Sequence, residues 1–154
     1  MIRNALRAFA ATLAVILIAA HPWPSAHAQT RLAESALAAS EWSAIRRVID
    51  DQRKALKSGD ARKAFSFASP GIQAQFGTPN TFLAMVRNGY GALIAARYVE
   101  FLEGAVIEGA VIQPLRLVAP DNSVLVALYT MEKQKDGRWR IAGCVLAPST
   151  VQAA

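Results

Sequence analysis

A proton-transfer site that works without a cofactor needs an acid or base on an apolar wall and a hydrogen-bond donor to steady a developing oxyanion. In this chain the pairing that meets both needs is Glu100 with Tyr98 or Tyr129. Strand alternation puts Tyr98 and Glu100 on one face and Val99 and Phe101 on the other. Only one of those faces can meet a helical layer, and the apolar pair competes for it. Ionised carboxylates are seldom buried unpaired, so the expectation is an exposed Glu100 with no catalytic part. Tyr90, set between Gly89 and Gly91, is the other side chain of interest. An aromatic ending a helix can line a cavity mouth and offer its hydroxyl to a ligand, although a core tyrosine with a satisfied hydroxyl is the commoner use. Gln113 and Thr130 complete the polar groups able to line a pocket.

Other chemistries are closed off. Both histidines, His21 and His27, fall in the N-terminal leader, which removes Ser-His-Asp and Cys-His catalysis and the commonest metal ligand together. Cys144 is the sole cysteine, so no intrachain disulfide can form. Free cysteines in apolar strands are usually buried and inert, and a reactive one needs a cation beside it. Glycine-rich phosphate loops, acidic clusters at metal spacing and the serine elbow are absent from the sequence. Neither a metal nor a cofactor is expected.

The leader carries Arg3 and Arg7, then the 13-residue apolar run Ala8 to Ala20, a breaker at His21-Pro22-Trp23-Pro24, and the small-residue site Ala26-His27-Ala28. That order is the pattern of a secretory signal, and the run is shorter than the roughly 18 residues of a spanning helix. Cleavage after Ala28 and a periplasmic or secreted product are expected. Losing Arg3 and Arg7 takes the 17 basic residues to 15, against 11 acidic ones. Seven cations fall between Arg46 and Lys63, interleaved with Asp50, Asp51 and Asp60. Pairs at four-residue spacing, Arg46 with Asp50, Arg47 with Asp51 and Asp50 with Lys54, read as a solvated helix face. The alternative use of this charge is an anionic envelope surface.

The elements that must position these groups follow from periodicity. Ser40 is the N-cap candidate of a helix in which Trp42, Ile45, Val48, Ile49 and Leu56 recur at helical spacing up to Ser58-Gly59. Asp60 is placed to cap a second helix through Ala64, Phe65 and Ala68, which Ser69-Pro70-Gly71 ends. After a turn through Ile72 and Phe76, Thr78-Pro79 opens a third helix with Phe82, Met85 and Val86 inward, ending at Gly89-Tyr90-Gly91. β-Branched and aromatic runs then predict four strands, 97–107, 110–118, 124–133 and 138–146. Asp121-Asn122 and Asp136-Gly137 supply turns, Gly104 and Gly109 mark a bulge or tight turn, and Pro114 belongs on an edge or at a bulge. The fold class is therefore α+β, with N-terminal helices packed on a curved, cone-like antiparallel four-stranded sheet. Such a sheet can leave a small-ligand cavity beneath the helices.

Several short motifs in order add a family likeness. Gly59-Asp60, Ala64 to Ile72, Phe76-Gly77, Phe82, Met85-Val86, Gly89-Tyr90, Asp136-Gly137, Trp139-Arg140-Ile141 and Gly143-Cys144 carry it. Over about Ile45 to Leu146 the chain resembles an uncharacterised family of exported proteobacterial proteins built on a domain of unknown function. The resemblance implies a cystatin-like cone fold similar to nuclear transport factor two and the ketosteroid isomerase-like superfamily, and it implies no activity. Gly91-Ala92-Leu93 follows Tyr90 where that family has Pro-rich residues.

Together these readings give a signal peptide at 1–28, a loose leader at 29–39, one domain at 40–148 and a tail at 149–154. The expected role is non-catalytic binding of a small apolar ligand or an envelope partner. The alternatives are a cofactor-free proton-transfer enzyme and a self-associating structural module, the latter as a homodimer. The candidate pocket-lining residues are Tyr90, Tyr98, Tyr129, Glu100, Phe82 and Met85. Partners in view are that ligand, an envelope protein or anionic surface, and a second copy; nucleic acid does not suit an exported protein.

Overall fold

A computed structural model describes residues 37–149. The signal-peptide reading of 1–28, most of the leader and nearly all of the tail lie outside the described residues. Among the described residues no helix is long and apolar enough to cross a membrane.

Helix α1 spans Ala39–Ser58 and ends on Gly59, whose left-handed φ of 74° lets its N–H reach back to Ala55 and Leu56. Its N-cap is Ala38, with no side-chain cap, so Ser40 lies inside the helix. Asp60 caps α2, Ala61–Ser66, by accepting from the Lys63 N–H. Ser69-Pro70, expected only to break the chain, instead opens α3, Pro70–Phe76: Ser69 Oγ accepts from the Ile72 N–H and Pro70 occupies the first turn. Thr78 and Pro79 start α4, Pro79–Gly89, in the same manner. The helical half runs further than Gly91, through the five-residue α5, Gly91–Ala95.

The sheet has five strands, one more than periodicity predicts. They are β1 Tyr98–Phe101, β2 Ala105–Ile107, β3 Ala110–Val118, β4 Val124–Lys133 and β5 Trp139–Pro148. The order is β1-β3-β4-β5, with β2 also paired to β3 and every pairing antiparallel. The extra strand comes from a bulge. Phe101 faces Leu115 and Ala105 faces Ile112, so Leu102, Glu103 and Gly104 stand opposite only Gln113 and Pro114. Gly104 is required there, because a Cβ would lie 2.3 Å from Cζ3 of Trp42. Glu108 and Gly109, both at positive φ, make the two-residue turn from β2 to β3.

Pro114 sits within β3, an interior strand, at the point where its missing N–H would have donated to Leu102. The Gln113 side chain takes over that bond: Nε2 donates to the Leu102 carbonyl at 2.8 Å and to the Pro114 carbonyl at 2.9 Å, while Oε1 accepts from Arg46 Nε at 3.2 Å. Gln113 is fully buried and its amide is satisfied by these bonds. Arg46 is thus turned toward the sheet and away from the expected ladder, in which Lys54 pairs with Asp50 and Asp51.

A second bulge shapes β5. Thr130 faces Gly143 but Met131 faces Ile141, which leaves Ala142 as the extra residue. Residues 141 and 144 have opposite parity and would face opposite sides of a regular strand; the bulge turns Cys144 to the helix side along with Ile141. Phe67 to Ser69 cover part of the outer edge of β5, with Ile141 N–H donating to Phe67 and Ser69 N–H donating to Ile141.

Two apolar clusters result. Ile45, Ile49 and Leu93 pack on the inner sheet face against Leu115, Leu117, Ala127, Tyr129, Met131, Trp139 and Ile141. Leu56, Phe65, Phe82, Leu83 and Val86 join the helices to one another. Tyr90 packs against both.

Candidate ligand cavity

Where the two clusters meet, they leave a cavity of about 220 Å³. Helix α1 contributes Gln52 and Leu56, α3 contributes Ile72, Gln75 and Phe76, and α4 contributes Phe82, Met85 and Val86. Tyr90 and Leu93 close one side, and Tyr129, Ile141, Gly143 and Cys144 form the sheet side. Gln52, Leu56, Leu93, Tyr129 and Ile141 are buried, Tyr90, Gly143, Cys144, Ile72, Phe76 and Met85 are half-buried, and Gln75 is exposed, which sets the mouth at the α3–α4 end. Phe82 is held by ring contacts with Phe65, centroids 5.3 Å apart, and Phe76, 5.9 Å apart.

The polar groups of the wall have specific commitments. Tyr90 Oη donates to the Cys144 carbonyl at 3.0 Å, tying the α4–α5 junction to β5. Gln52 Nε2 donates to the Ala64 carbonyl at 3.2 Å, tying α1 to α2. Arg53, beside Gln52 but outside the wall, places Nη2 on the Leu93 carbonyl. Tyr129 is fully buried, and its hydroxyl, like Arg53 Nε, makes no hydrogen bond. Its cross-strand neighbour is Cys144. Hydroxyl and thiol are close enough to affect each other's ionisation, but they do not meet with hydrogen-bond geometry. Burial, and then the Cys144 charge, push the Tyr129 phenol far above its usual range. Burial pushes the Cys144 thiol up to about 12, with Tyr129 opposing the shift. Both therefore stay protonated at ordinary pH, which makes Tyr129 a donor and Cys144 a poor nucleophile.

Of the six candidate lining residues, the structure brings together Tyr90, Tyr129, Phe82 and Met85 on this wall. Tyr98 and Glu100 do not join them. Val99 and Phe101 took the inner face of β1, leaving Tyr98 57 % exposed and Glu100 paired with Arg116 Nη1 at 2.8 Å on the outer face. Among the described residues no carboxylate lines the cavity. Gln113 is spent on the β1–β2 bulge and Thr130 faces away, across from Gly143. Sequence reasoning missed Gln52, Ile72, Gln75, Phe76, Ile141, Gly143 and Cys144. Gln52 carried a readable signal: it fills the inward position between Ile49 and Leu56 in the apolar stripe of α1.

Among the described residues no cluster of His, Cys, Asp and Glu is disposed to hold a metal ion. Comparison with curated proteins found no match, and comparison with solved structures found none either. The family model described as Domain of unknown function (DUF4864) matches residues 38–154, a span that holds every helix and strand above and the entire cavity wall, and the chain belongs to that family.

Proposed function

We propose that this chain is an exported, non-catalytic domain that holds a small apolar ligand between its helices and the inner face of its sheet. The observation that carries the reading is the wall itself: mostly aliphatic and aromatic side chains surround a cavity in which none of the described lining residues is charged. Export rests on the order of charge, apolar run and small-residue site in Met1 to Ala28. A kinship with the cone fold of nuclear transport factor two is part of the same proposal, supported by helices laid on a bulged antiparallel sheet. The isomerase-like alternative loses its acid–base pair, because Glu100 stands on the other face of the sheet from Tyr129.

Titration with cumene, followed by NMR of the methyl groups, tests the binding reading. Shifts should concentrate on Ile72, Met85, Val86 and Leu93, and Met85→Trp, which fills the mouth, should abolish them. Shifts scattered over the surface, or unchanged in Met85→Trp, refute it. Intact mass of the protein recovered from the periplasm should begin at Gln29; a product there that retains Met1 refutes cleavage, and absence of the protein from that fraction refutes export. A second reading, self-association, is favoured by the outer sheet face, where Pro114, Leu128 and Val145 form one row and Val145 is 61 % exposed. Leu128→Lys should then convert a dimer to a monomer in sedimentation, and a monomeric parent protein removes that reading.

A further inference from the structure

Resting on the binding reading above, we infer that the ligand is a neutral molecule with an apolar body of on the order of ten heavy atoms and one carbonyl oxygen, which accepts from Tyr129 Oη. Tyr129 is fully buried and stands in the wall of the cavity, yet its hydroxyl has no partner. Buried donors are almost always paired, and one left unpaired on a residue that lines a cavity points to an acceptor that arrives with the ligand. Tyr90 Oη donates to the Cys144 carbonyl and, although it could still accept, makes no hydrogen bond with Tyr129.

Three further observations narrow the class. The cavity measures about 220 Å³, and an apolar protein cavity of about 150 Å³ takes up benzene, so a ring with a short substituent is the scale that fits. The described lining residues include no charged group; a carboxylate brought among them would lose its hydration without a countercharge from these residues. Arg53 is not among the lining residues; its Nη2 donates to the Leu93 carbonyl, its buried Nε has no partner, and its charge is felt at the Tyr129 phenol, so the benzoate arm of the test below decides whether it draws an anion. A carbonyl oxygen needs only a donor, whereas an alcohol brings a donor of its own that would need a second partner. A ketone, ester or amide carbonyl meets these requirements together, and the phenol, held protonated by burial, remains a donor throughout the physiological range.

Three probes of similar size test this in the full cleaved chain: acetophenone, its hydrocarbon analogue cumene, and benzoate. Acetophenone should bind about 2- to 10-fold more tightly than cumene, the worth of one neutral hydrogen bond. Tyr129→Phe should erase that preference while leaving cumene affinity in place, and benzoate should bind more weakly than either. The infrared carbonyl stretch of bound acetophenone should lie below its value in an apolar solvent. That readout uses the parent protein and so decides the matter even if Tyr129→Phe does not fold. If cumene and acetophenone bind equally, if the preference survives Tyr129→Phe, or if benzoate binds best, the carbonyl assignment is overturned while the cavity reading stands. If none of the three binds, the cavity reading itself has failed.

Discussion

Replacing Gln113 by leucine should cost about 1–3 kcal/mol of stability, because it removes the group that repairs the sheet around Pro114. Leucine has similar bulk and can occupy the same buried position, so shape is nearly conserved and the loss is polar. The Pro114 carbonyl keeps its bond from the Leu102 N–H at 3.1 Å. The Leu102 carbonyl, however, loses its donor and faces a proline nitrogen with no hydrogen, and Arg46 Nε loses its acceptor. A buried orphan costs about 1–3 kcal/mol, the half-buried Arg46 less since water can reach it, and the apolar gain of leucine offsets about 1 kcal/mol. Urea denaturation reads this as a lower midpoint at constant m. Pro114→Ala supplies the diagnostic second leg of a double-mutant cycle. In the Gln113→Leu background it restores a backbone N–H opposite Leu102 and should recover about 1 kcal/mol; with Gln113 present that carbonyl already has a donor and little is gained. Equal effects of Pro114→Ala in the two backgrounds, or a Gln113→Leu midpoint at the parent value, would refute the repair.

Gly104→Ala should destabilise the domain by about 1–3 kcal/mol, since its Cβ meets the Trp42 ring at 2.3 Å, and Trp42→Leu in the same chain should return part of that loss in thermal unfolding. Cys144 should resist labelling by iodoacetamide at pH 8 in the folded protein and react promptly in urea, as a thiol pushed up to about 12 requires. Because the folded pKa values of Cys144 and Tyr129 lie above their ordinary 9.0 and 10.0, their contribution to stability is complete below pH 9 and is lost as pH rises toward 12; denaturation midpoints should fall over that window, less steeply in Tyr129→Phe. Glu41 works in the opposite direction: bonds from Lys133 and the Trp139 indole lower its pKa from 4.5, so its contribution is present above pH 4.5 and lost on acidification. Glu41→Gln should flatten the acid limb of the stability profile, and an unchanged limb would discount the contact.

The parts of this molecule that could be read from its letters are those in which local chemistry and the hydrophobic pattern agree. Asp60, Thr78-Pro79 and Gly59 act at helix ends as their types demand, and the α1 stripe of Ile45, Ile49 and Leu56 is buried as its spacing requires. Where the reading failed, two local rules were in competition. Ser69-Pro70-Gly71 satisfies both a breaker and a helix start, and the Ser69 side-chain cap settles it in favour of the start. The run 97–107 alternates well enough to pass as one strand, but Gly104 must yield to the Trp42 ring, a contact that joins residues far apart in sequence.

The cavity was only half legible for a related reason. Phe82, Met85 and Tyr90 could be placed because helix periodicity survives intact through α4. The sheet side depends on a phase shift: counted by twos from Trp139, β5 would send Val145 inward and Cys144 outward, yet Val145 is 61 % exposed and Cys144 faces Tyr129 across the strands. One extra residue, Ala142, makes the difference. The same residue lies next to Ile141, whose backbone is engaged by Phe67 and Ser69, so the β5 bulge and the entry to α3 are held together. Helix α3 brings Ile72, Gln75 and Phe76 to the mouth, and the bulge brings Cys144 beside the unpaired Tyr129 hydroxyl at the far wall. The two ends of the cavity are therefore set by one irregularity. A deletion of Ala142 would restore alternation, turn Cys144 away from Tyr129 and draw the Phe67–Ser69 segment out of register, and it should abolish acetophenone binding where Tyr129→Phe only weakens it.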